Sequence, residues 1–433
     1  MKIRITLIAL LMFTTSSIMA QFSLSGEFRP RTEYRNGFGN LKTEDQAVGF
    51  GTATRVRLNA GYKGEGFSTY LSIQDVFVWG ENRQLKQFDD NNSLAIFEAW
   101  ANIELGKAYA AKLGRQMISY DDQRIMGAVG WAQQARTHDA LLFKHKSDAI
   151  NFDLGLAYNQ DYSNPSGYQN TINDYTTTGF FSYKTMQYLW ANKKWENFEA
   201  SVLVLNNGYQ KYTADVADGV NNLTTFGTHL KAKLGNISLA ANLYGQTGSI
   251  TANQFSDKDG PLDKNTNFEY KSAYLIGLDA KMPISSKITL GAGFELISGD
   301  DAATTEKESF FPVYGTNHKF NGFMDYFYVG NNANSFGLND YHINAKFTTS
   351  PKSSLYASVL YFTTNTELDS GAKNLGTELD LVYSYKLKPA VLLQVGYSQM
   401  FAEDGMEELK GVPNPQDTQN WAWAMITIKP KFL

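Results

Sequence analysis

The connections in this chain constrain its fold more than any motif does. From Phe22 to Phe432 it reads as extended, alternating segments whose connections run short, long, short, long. The short ones are tight polar turns at Lys63–Gly66, Gly106-Lys107, Lys146–Asp148, Lys194–Asn197, Gly235-Asn236, Pro283–Ser286, Pro351–Ser353 and Lys388-Pro389. Between them lie long polar loops such as Asn36–Gly51 and Gly299–Gly337. Short turns at one rim and long loops at the other are what a barrel spanning an outer membrane needs. The sequence is therefore read as all-β: a transmembrane antiparallel β-barrel of about 18 strands, with short periplasmic turns and long extracellular loops.

Eighteen candidate strands fall at 22–34, 51–63, 67–79, 93–106, 109–118, 137–146, 149–160, 180–194, 198–208, 222–235, 237–248, 270–283, 287–298, 338–350, 354–366, 374–387, 390–403 and 418–432. The number is even, as single-chain bacterial barrels require. Most exceed the ~9–11 residues that cross a bilayer at a tilt. Segment 180–194 alternates poorly. Both termini then lie on the short-turn, periplasmic side.

Composition fits the same reading. After the first twenty residues, no segment approaches the ~18 consecutive apolar residues of a membrane helix. The 25 Tyr, 28 Phe and 7 Trp suit the aromatic girdles of a barrel. A soluble aromatic-rich sandwich competes, but so many strands in register are unusual for one. Lys2 and Arg4 before an apolar Ile5–Phe13 read as a signal peptide over 1–20, leaving one barrel domain over 21–433. There is no cysteine, which excludes a lipoprotein anchor, disulfides and thiolate metal sites. The net charge of −4 does not argue against an anionic solute, because a solute meets only the lumen.

Successive strand side chains point to opposite faces. In the first strand Phe22, Leu24 and Phe28 oppose Glu27, Arg29, Arg31 and Glu33. In the second, Val56, Leu58 and Ala60 oppose Arg55, Arg57 and Asn59. A charge facing lipid near the midplane costs ~2–4 kcal/mol, so the charged faces belong to the lumen. The same logic turns Glu98, Asn102, His229, Lys231, Lys233, Asp279, Lys281, His342, Lys346, Glu378 and Asp380 inward. So many polar inward positions fit an aqueous channel of ~16–18 strands better than a filled interior. Any constriction must come from loops. Gly114–Arg136 carries Arg115, Asp121, Asp122, Arg124 and Arg136. Gly299–Gly337 carries Phe310, Phe311, Tyr314, His318, Phe320, Phe323, Asp325, Tyr326, Phe327 and Tyr328. An aromatic-rich loop of that length packs against something, either the lumen or a partner at the cell surface.

These two loops also carry a resemblance. Leu113–Gln116, Tyr120–Gly127, Trp131 and Arg136–Asp139, with Tyr314–Phe320 and Gly322–Asp325, resemble the outer-membrane alginate-export family. Gly26–Arg31 fits it too. The resemblance implies an eighteen-stranded barrel and an arginine-lined path for an acidic polysaccharide. It carries over to Arg29, Arg31, Arg55, Arg57, Arg115, Arg124 and Arg136. A guanidinium stays charged and can hold a carboxylate with both arms. The sequence departs from that pattern in its second half, where Arg136 is the last arginine and Glu378 and Asp380 face inward.

Other readings of the same residues stay open. Inward Arg beside inward Glu also makes a cross-strand lattice that stiffens the wall. Asp121, Asp122 and Arg124 also suit a loop-anchoring network. A calcium site among Asp121, Asp122 and Asp139 has the right donors but no recognisable ligand spacing. No histidine sits in an HExxH or GxSxG context, so no enzyme is expected. No cofactor or nucleic acid is expected either. The expected partners are outer-membrane lipid, anionic sugars or small solutes, and the barrel-assembly machinery, whose signal the terminal Lys431-Phe432-Leu433 resembles. The expected function is passive passage of anionic or polyhydroxylated solutes. A non-conducting scaffold or surface adhesin is the alternative. On the channel reading, replacing Arg55 and Arg57 by Glu moves selectivity toward cations.

Overall fold

A computed structural model describes residues 21–82, 93–159, 183–252, 256–257, 260–261, 263–300, 306–327 and 336–433. The signal segment, the last residue of the expected strand 149–160, the first three of 180–194, and Tyr328 lie outside them. Eighteen long strands form one closed antiparallel sheet: β1 Phe22–Asn36, β2 Gly49–Lys63, β3 Phe67–Val78, β4 Ala95–Glu104, β5 Tyr109–Gln116, β6 His138–Lys146, β7 Asn151–Tyr158, β8 Thr185–Lys194, β9 Phe198–Thr213, β10 Val216–Leu234, β11 Ile237–Thr251, β12 Asn267–Pro283, β13 Ile288–Ile297, β14 Leu338–Ser350, β15 Ser353–Thr363, β16 Asn374–Lys388, β17 Val391–Ala402 and β18 Gln419–Ile428. Each strand pairs with its sequence neighbours. β1 closes the sheet against β18, with Phe28 opposite Ile428 and Asn36 opposite Asn420. Among the described residues one short α-helix, α1 (Asp404–Lys410), lies in the last long loop.

All eighteen expected strands are present, with two informative differences. Residues 209–221, left above as a long loop, instead continue β9 and β10 to a two-residue turn. Ala214 and Asp215 have φ of 49° and 67°. Positive φ at both positions gives a turn whose twist matches the strands it joins. Ala-Asp is not the usual signal for it. Asn265 holds it from outside, donating from its amide to the Asp215 carboxylate at 3.0 Å and accepting the Asp215 N–H at 2.9 Å. The last strand ends at Ile428 rather than at 432. Pro430 has no N–H to give a ladder, and beyond it the tail continues along β1 in the same register, with Lys431 opposite Ser25 and the Phe432 N–H donating to the Leu24 carbonyl at 2.8 Å.

The outer face carries an apolar belt: Phe28, Val56, Leu58, Leu113, Phe143, Leu154, Val202, Ile276, Leu290, Ile343, Val359 and Val395 are all exposed. In water such a surface is a liability, whereas lipid covers it at no cost. The inward face is not uniformly polar. On β6 to β12 it carries Leu142, Met186, Leu203, Leu205, Leu223, Tyr244 and Leu275, all buried. Their partners are loop residues, so the expectation of a wholly aqueous interior fails on this side.

Candidate functional site

Both candidate loops fold into the lumen and dock on each other. The loop between β5 and β6 and the loop between β13 and β14 share a backbone ladder. Gly127 N–H donates to the Tyr314 carbonyl at 2.8 Å, Tyr314 N–H to Ile125 at 3.0 Å, and Thr316 N–H to Gln123 at 2.9 Å. Four non-glycine residues of the first loop hold positive φ: Asp121, Gln123, Val129 and Ala135. Such conformations persist only where the surroundings over-determine them.

One flank of this double plug is dry. Ile118, Ile125 and Met126 of the first loop, with Phe310, Phe311, Val313 and Tyr314 of the second, pack into the apolar stripe of β6 to β12. The few polar groups there are matched. Tyr314 Oη donates to Asn207 Oδ1 at 2.7 Å, and the Gln246 amide bonds both the Phe311 carbonyl and its N–H, at 2.7 and 2.8 Å. Burial first, with Tyr209 and Tyr183 beside it, drives the Tyr314 hydroxyl well above its ordinary range.

The other flank is ionic. Arg124, at 2% exposure, joins the two loops to the wall. Its fork donates to both carboxylate oxygens of Glu295 on β13 at 2.8 and 2.6 Å, and to Asn317 and Asn321 of the second loop at 2.8 and 3.0 Å. On β16, Glu378 and Asp380 receive the tip of that loop, accepting the N–H groups of Met324 at 2.8 Å and Phe323 at 3.3 Å. Asn321 and Gly322, with φ of 60° and 87°, bend the backbone so that both N–H groups face the wall. Successive N–H groups arranged this way form an anion-binding nest.

The predicted arginines occupy these structural contacts. Arg29 donates to the carbonyls of Gly130 at 2.7 Å, Trp131 at 3.0 Å and Ala132 at 3.1 Å, and to Gln133 Oε1 at 2.9 Å. Arg31 bonds the Trp131 carbonyl at 2.9 Å, pairs with Glu33 at 3.1 Å, and lies 4.3 Å from the Trp131 ring centre. Arg55 pairs with Glu27 and reaches the carbonyls of Ala132 and Gln133, both at 3.2 Å. Arg29, Arg31, Arg55 and Arg124 are each 6% exposed or less. They hold the plug, so their assignment as open pore lining is corrected. A guanidinium's planar fork can gather several carbonyl oxygens at once, which is why these positions are arginine. Arg57 is half-buried, stacked 3.6 Å from the Phe97 ring centre and bonded to Gln74 at 2.7 Å. Arg136 donates to the Gly315 carbonyl at 3.4 Å.

Arg115 is a second correction. It shares the outward face of β5 with Leu113 and pairs there with Asp139 of β6, both contacts at 2.8 Å. It sits at the loop-side end of the wall, where a charge facing outward costs little. Asp121 accepts from Trp190 Nε1 at 3.1 Å, and Asp122 accepts from the Arg124 N–H at 3.1 Å and Asn242 at 2.7 Å. Burial raises the Asp121 carboxyl above its ordinary value. With Asp139 facing outward, these three carboxylates do not converge on a cation. Among the described residues, no group of three or more His, Asp or Glu is placed to hold a metal. Glu98 accepts the Met117 N–H at 3.2 Å. His318 bonds Asp325 at 2.8 Å and stacks at 4.5 Å on Trp131.

What faces open space instead is lysine. Lys231, Lys233, Lys281 and Lys346 are exposed at inward positions toward the short-turn mouth. Lys231 sits 3.9 Å from Glu199. Lys281 and Asp279 border two cavities, of about 290 Å³ at the mouth and about 460 Å³ beneath the plug. Lys319, on the plug, faces the second, and burial lowers its ammonium below the usual value. Sequence reasoning did not anticipate Lys319 or the Glu295 anchor. Lys319 follows His318 in the aromatic loop, but no alternation fixes a loop side chain's direction.

A closed eighteen-stranded wall with an apolar outer belt and charged inward positions defines an outer-membrane β-barrel. Solved barrels share the fold. Acinetobacter baumannii OccAB1 superposes with a TM-score of 0.62 over 95% of this chain and 97% of its own, at 14% identity. The Pseudomonas aeruginosa outer membrane protein OpdK gives 0.59 over 95% and 99%, at 9% identity, and OpdK with vanillate 0.55 over 94% and 99%, at 11% identity. No curated protein matches the sequence. The family model for alginate export matches residues 21–415, and the chain belongs to that family.

Proposed function

We propose that the protein is a passive outer-membrane channel for anionic or polyhydroxylated solutes, acidic oligosaccharides of the alginate type among them, throttled by the two docked loops. The observation that carries this reading is the row of exposed inward lysines, Lys231, Lys233, Lys281 and Lys346, at the short-turn mouth. Clustered cations at a mouth raise the local concentration of counter-ions and their rate of arrival, here partly offset by Glu196, Glu199 and Asp279 on the same cavity. Lysine is a compact, hydrated charge on a flexible stem, suited to weak contacts that let a solute leave. No nucleotide motif accompanies the barrel, so flow follows a gradient or periplasmic partners. The scaffold or adhesin alternative would use the aromatic loop outside the barrel. The burial of Phe310, Phe311, Tyr314 and Tyr326 inside it favours the channel.

The test is the reversal potential of the purified barrel in planar bilayers under a salt gradient. Anion preference is expected, and it should reverse in K231E/K233E/K281E. A barrel that never conducts would shift the reading to a scaffold. A conducting barrel indifferent to the triple substitution would take the lysines off the path.

A further inference from the structure

The 460 Å³ cavity beneath the plug is built as a site rather than left as a gap. Its floor is three cross-strand rows on β12, β13 and β14. They read Gly277–Glu295–Asp340, then Asp279–Gly293–His342, then Lys281–Gly291–Asn344. Gly293 is required, since a Cβ there would meet the Leu278 carbonyl oxygen at 2.5 Å, while Gly291 leaves room for the Asn344 amide. A Cβ on Gly293 would sit 2.6 Å from His342 Nε2, and one on Gly291 2.4 Å from Asn344 Oδ1. Their absence lets His342 lie flat across β13 and reach Asp279 at 3.2 Å while its other nitrogen holds Asp340 at 3.1 Å. The floor is thus a level, ordered sheet of polar groups.

Three half-buried aromatic rings edge it: Phe320 and Phe323 from the plug and Tyr356 from β15. Phe323 and Tyr356 have centroids 6.1 Å apart and tilt by 35°. A polar floor with aromatic edges is the chemistry that holds a sugar ring, whose C–H faces are apolar and whose rim is hydroxyl. The volume is within the ~300–1,000 Å³ of small-ligand sites.

Charge decides which sugar. The lining includes five carboxylates, Asp122, Asp279, Glu295, Asp340 and Asp380. Facing them are Lys281, Lys319 and His342, with Arg124 committed to Glu295. The balance does not favour an added anion, while Asp279, Asn344 and Lys281 offer both acceptors and donors to hydroxyl groups. The site also has a side. It shares Ala240, Asp279 and Lys281 with the mouth cavity, which reaches the periplasmic turn at Trp195–Asn197, while Lys319–Phe323 of the plug cover its loop side.

We propose that this cavity is a binding subsite for a neutral, polyhydroxylated pyranose unit, filled from the periplasmic side. Its place in transport rests on the channel reading above; binding itself does not. The probes are a neutral trisaccharide, maltotriose or cellotriose, and a trigalacturonate. Calorimetry on the full chain in detergent gives affinity without conduction, and current blockade in oriented bilayers gives the side. A neutral trisaccharide should bind more tightly than the uronate and should block at lower concentration from the short-turn side. Y356L and D279N, which leave the Arg124–Glu295 pair and the Glu378 and Asp380 contacts of the plug in place, should each weaken it about tenfold, the loss expected for a contact to a charged acceptor or a stacking ring. Tighter uronate binding, equal blockade from both sides, or unchanged affinity in both variants would overturn the proposal. Neutral-sugar binding by a barrel that does not conduct would defeat the channel reading and leave the subsite standing. Conduction with no sugar bound would do the reverse.

Discussion

Arg124→Met tests the docking of the plug most directly. The substitution keeps an unbranched apolar stem and removes the guanidinium with its charge. It breaks two contacts to Glu295, at 2.8 and 2.6 Å, and one each to Asn317 and Asn321. Glu295 is left 6% exposed without its cation. Its remaining partner is the Asn321 amide at 2.9 Å, and Asp340, another acid, sits opposite it on β14. Breaking a buried pair from one side costs about 3–5 kcal/mol. At about 1.4 kcal/mol per factor of ten, the docked-to-released ratio falls by roughly two to four powers of ten.

The barrel wall does not depend on this contact, so the loss falls on the plug. The strained backbone at Asp121, Gln123 and Val129 adds to the drive for release. Single-channel recordings should show larger, noisier openings, and limited proteolysis should cut within 117–137, while heat-modifiable migration in a denaturing gel stays intact. R124M/E295M removes both charges and should recover much of the protease resistance, because no carboxylate is left orphaned. Wild-type conductance and resistance in R124M, or a double variant no better than the single, would refute the account of the pair as an anchor.

Three further outcomes follow from the same contacts. Gly322→Ala would set a Cβ 2.5 Å from Glu378 Oε2 at a residue with φ of 87°, so the loop tip should lose more than about 1 kcal/mol and digest faster; unchanged proteolysis would argue against the carboxylate seat. Arg55→Glu should loosen the plug instead of switching selectivity, since it sets an acid beside Glu27 and frees the Ala132 and Gln133 carbonyls; a clean shift to cation selectivity at normal conductance would restore the pore-lining role. Burial brings Lys410 of α1 down to about 7, where its ammonium donates to the Tyr326 carbonyl. The undocked lysine keeps its proton to about pH 10.4, so between these values the undocked state binds more protons and docking strengthens as pH rises; below pH 7 both are protonated and the full desolvation cost applies. Hydrogen-exchange protection of the Met406 amide, corrected for intrinsic rates, should therefore rise from pH 7 to 9, and a fall would contradict this.

The strands were legible because lipid enforces alternation: Val56 and Leu58 cannot exchange faces with Arg55 and Arg57 without setting charge in hydrocarbon. The hairpin at Ala214-Asp215 was not, because its positive φ values come without glycine and are held by Asn265, fifty residues away. Arg115 could have been placed by the same alternation, since it shares parity with Leu113; family resemblance pointed the other way. The inward arginines were assigned to the correct face, yet a strand pattern gives direction and not depth or partner. That Arg29 and Arg55 would meet the carbonyls of Gly130–Gln133 depends on how a loop about a hundred residues later folds. The aromatic content of 310–327 did announce a packed loop. It could not announce Glu295 as the anchor, because a buried carboxylate on β13 reads from sequence like any other lumen charge.

The division between the two kinds of cation follows from their chemistry. Holding a loop inside a barrel means satisfying carbonyls that no ladder reaches, such as those of Gly130, Trp131 and Ala132. One guanidinium serves several of them in a fixed plane and keeps its charge when buried. An ammonium is a strongly hydrated point that resists such burial, as the lowering of Lys410 to about 7 on the Tyr326 carbonyl shows, so it is better suited to places that water reaches. Arg29, Arg31, Arg55, Arg124 and Arg136 therefore hold the plug. The lysines of β10, β12 and β14 stand at the mouth, where a passing solute can displace their water. A member of this family can thus keep its arginines in place while its permeation surface changes. Substrate preference within the family should then follow the inward residues of β10 to β15 more closely than the arginine count.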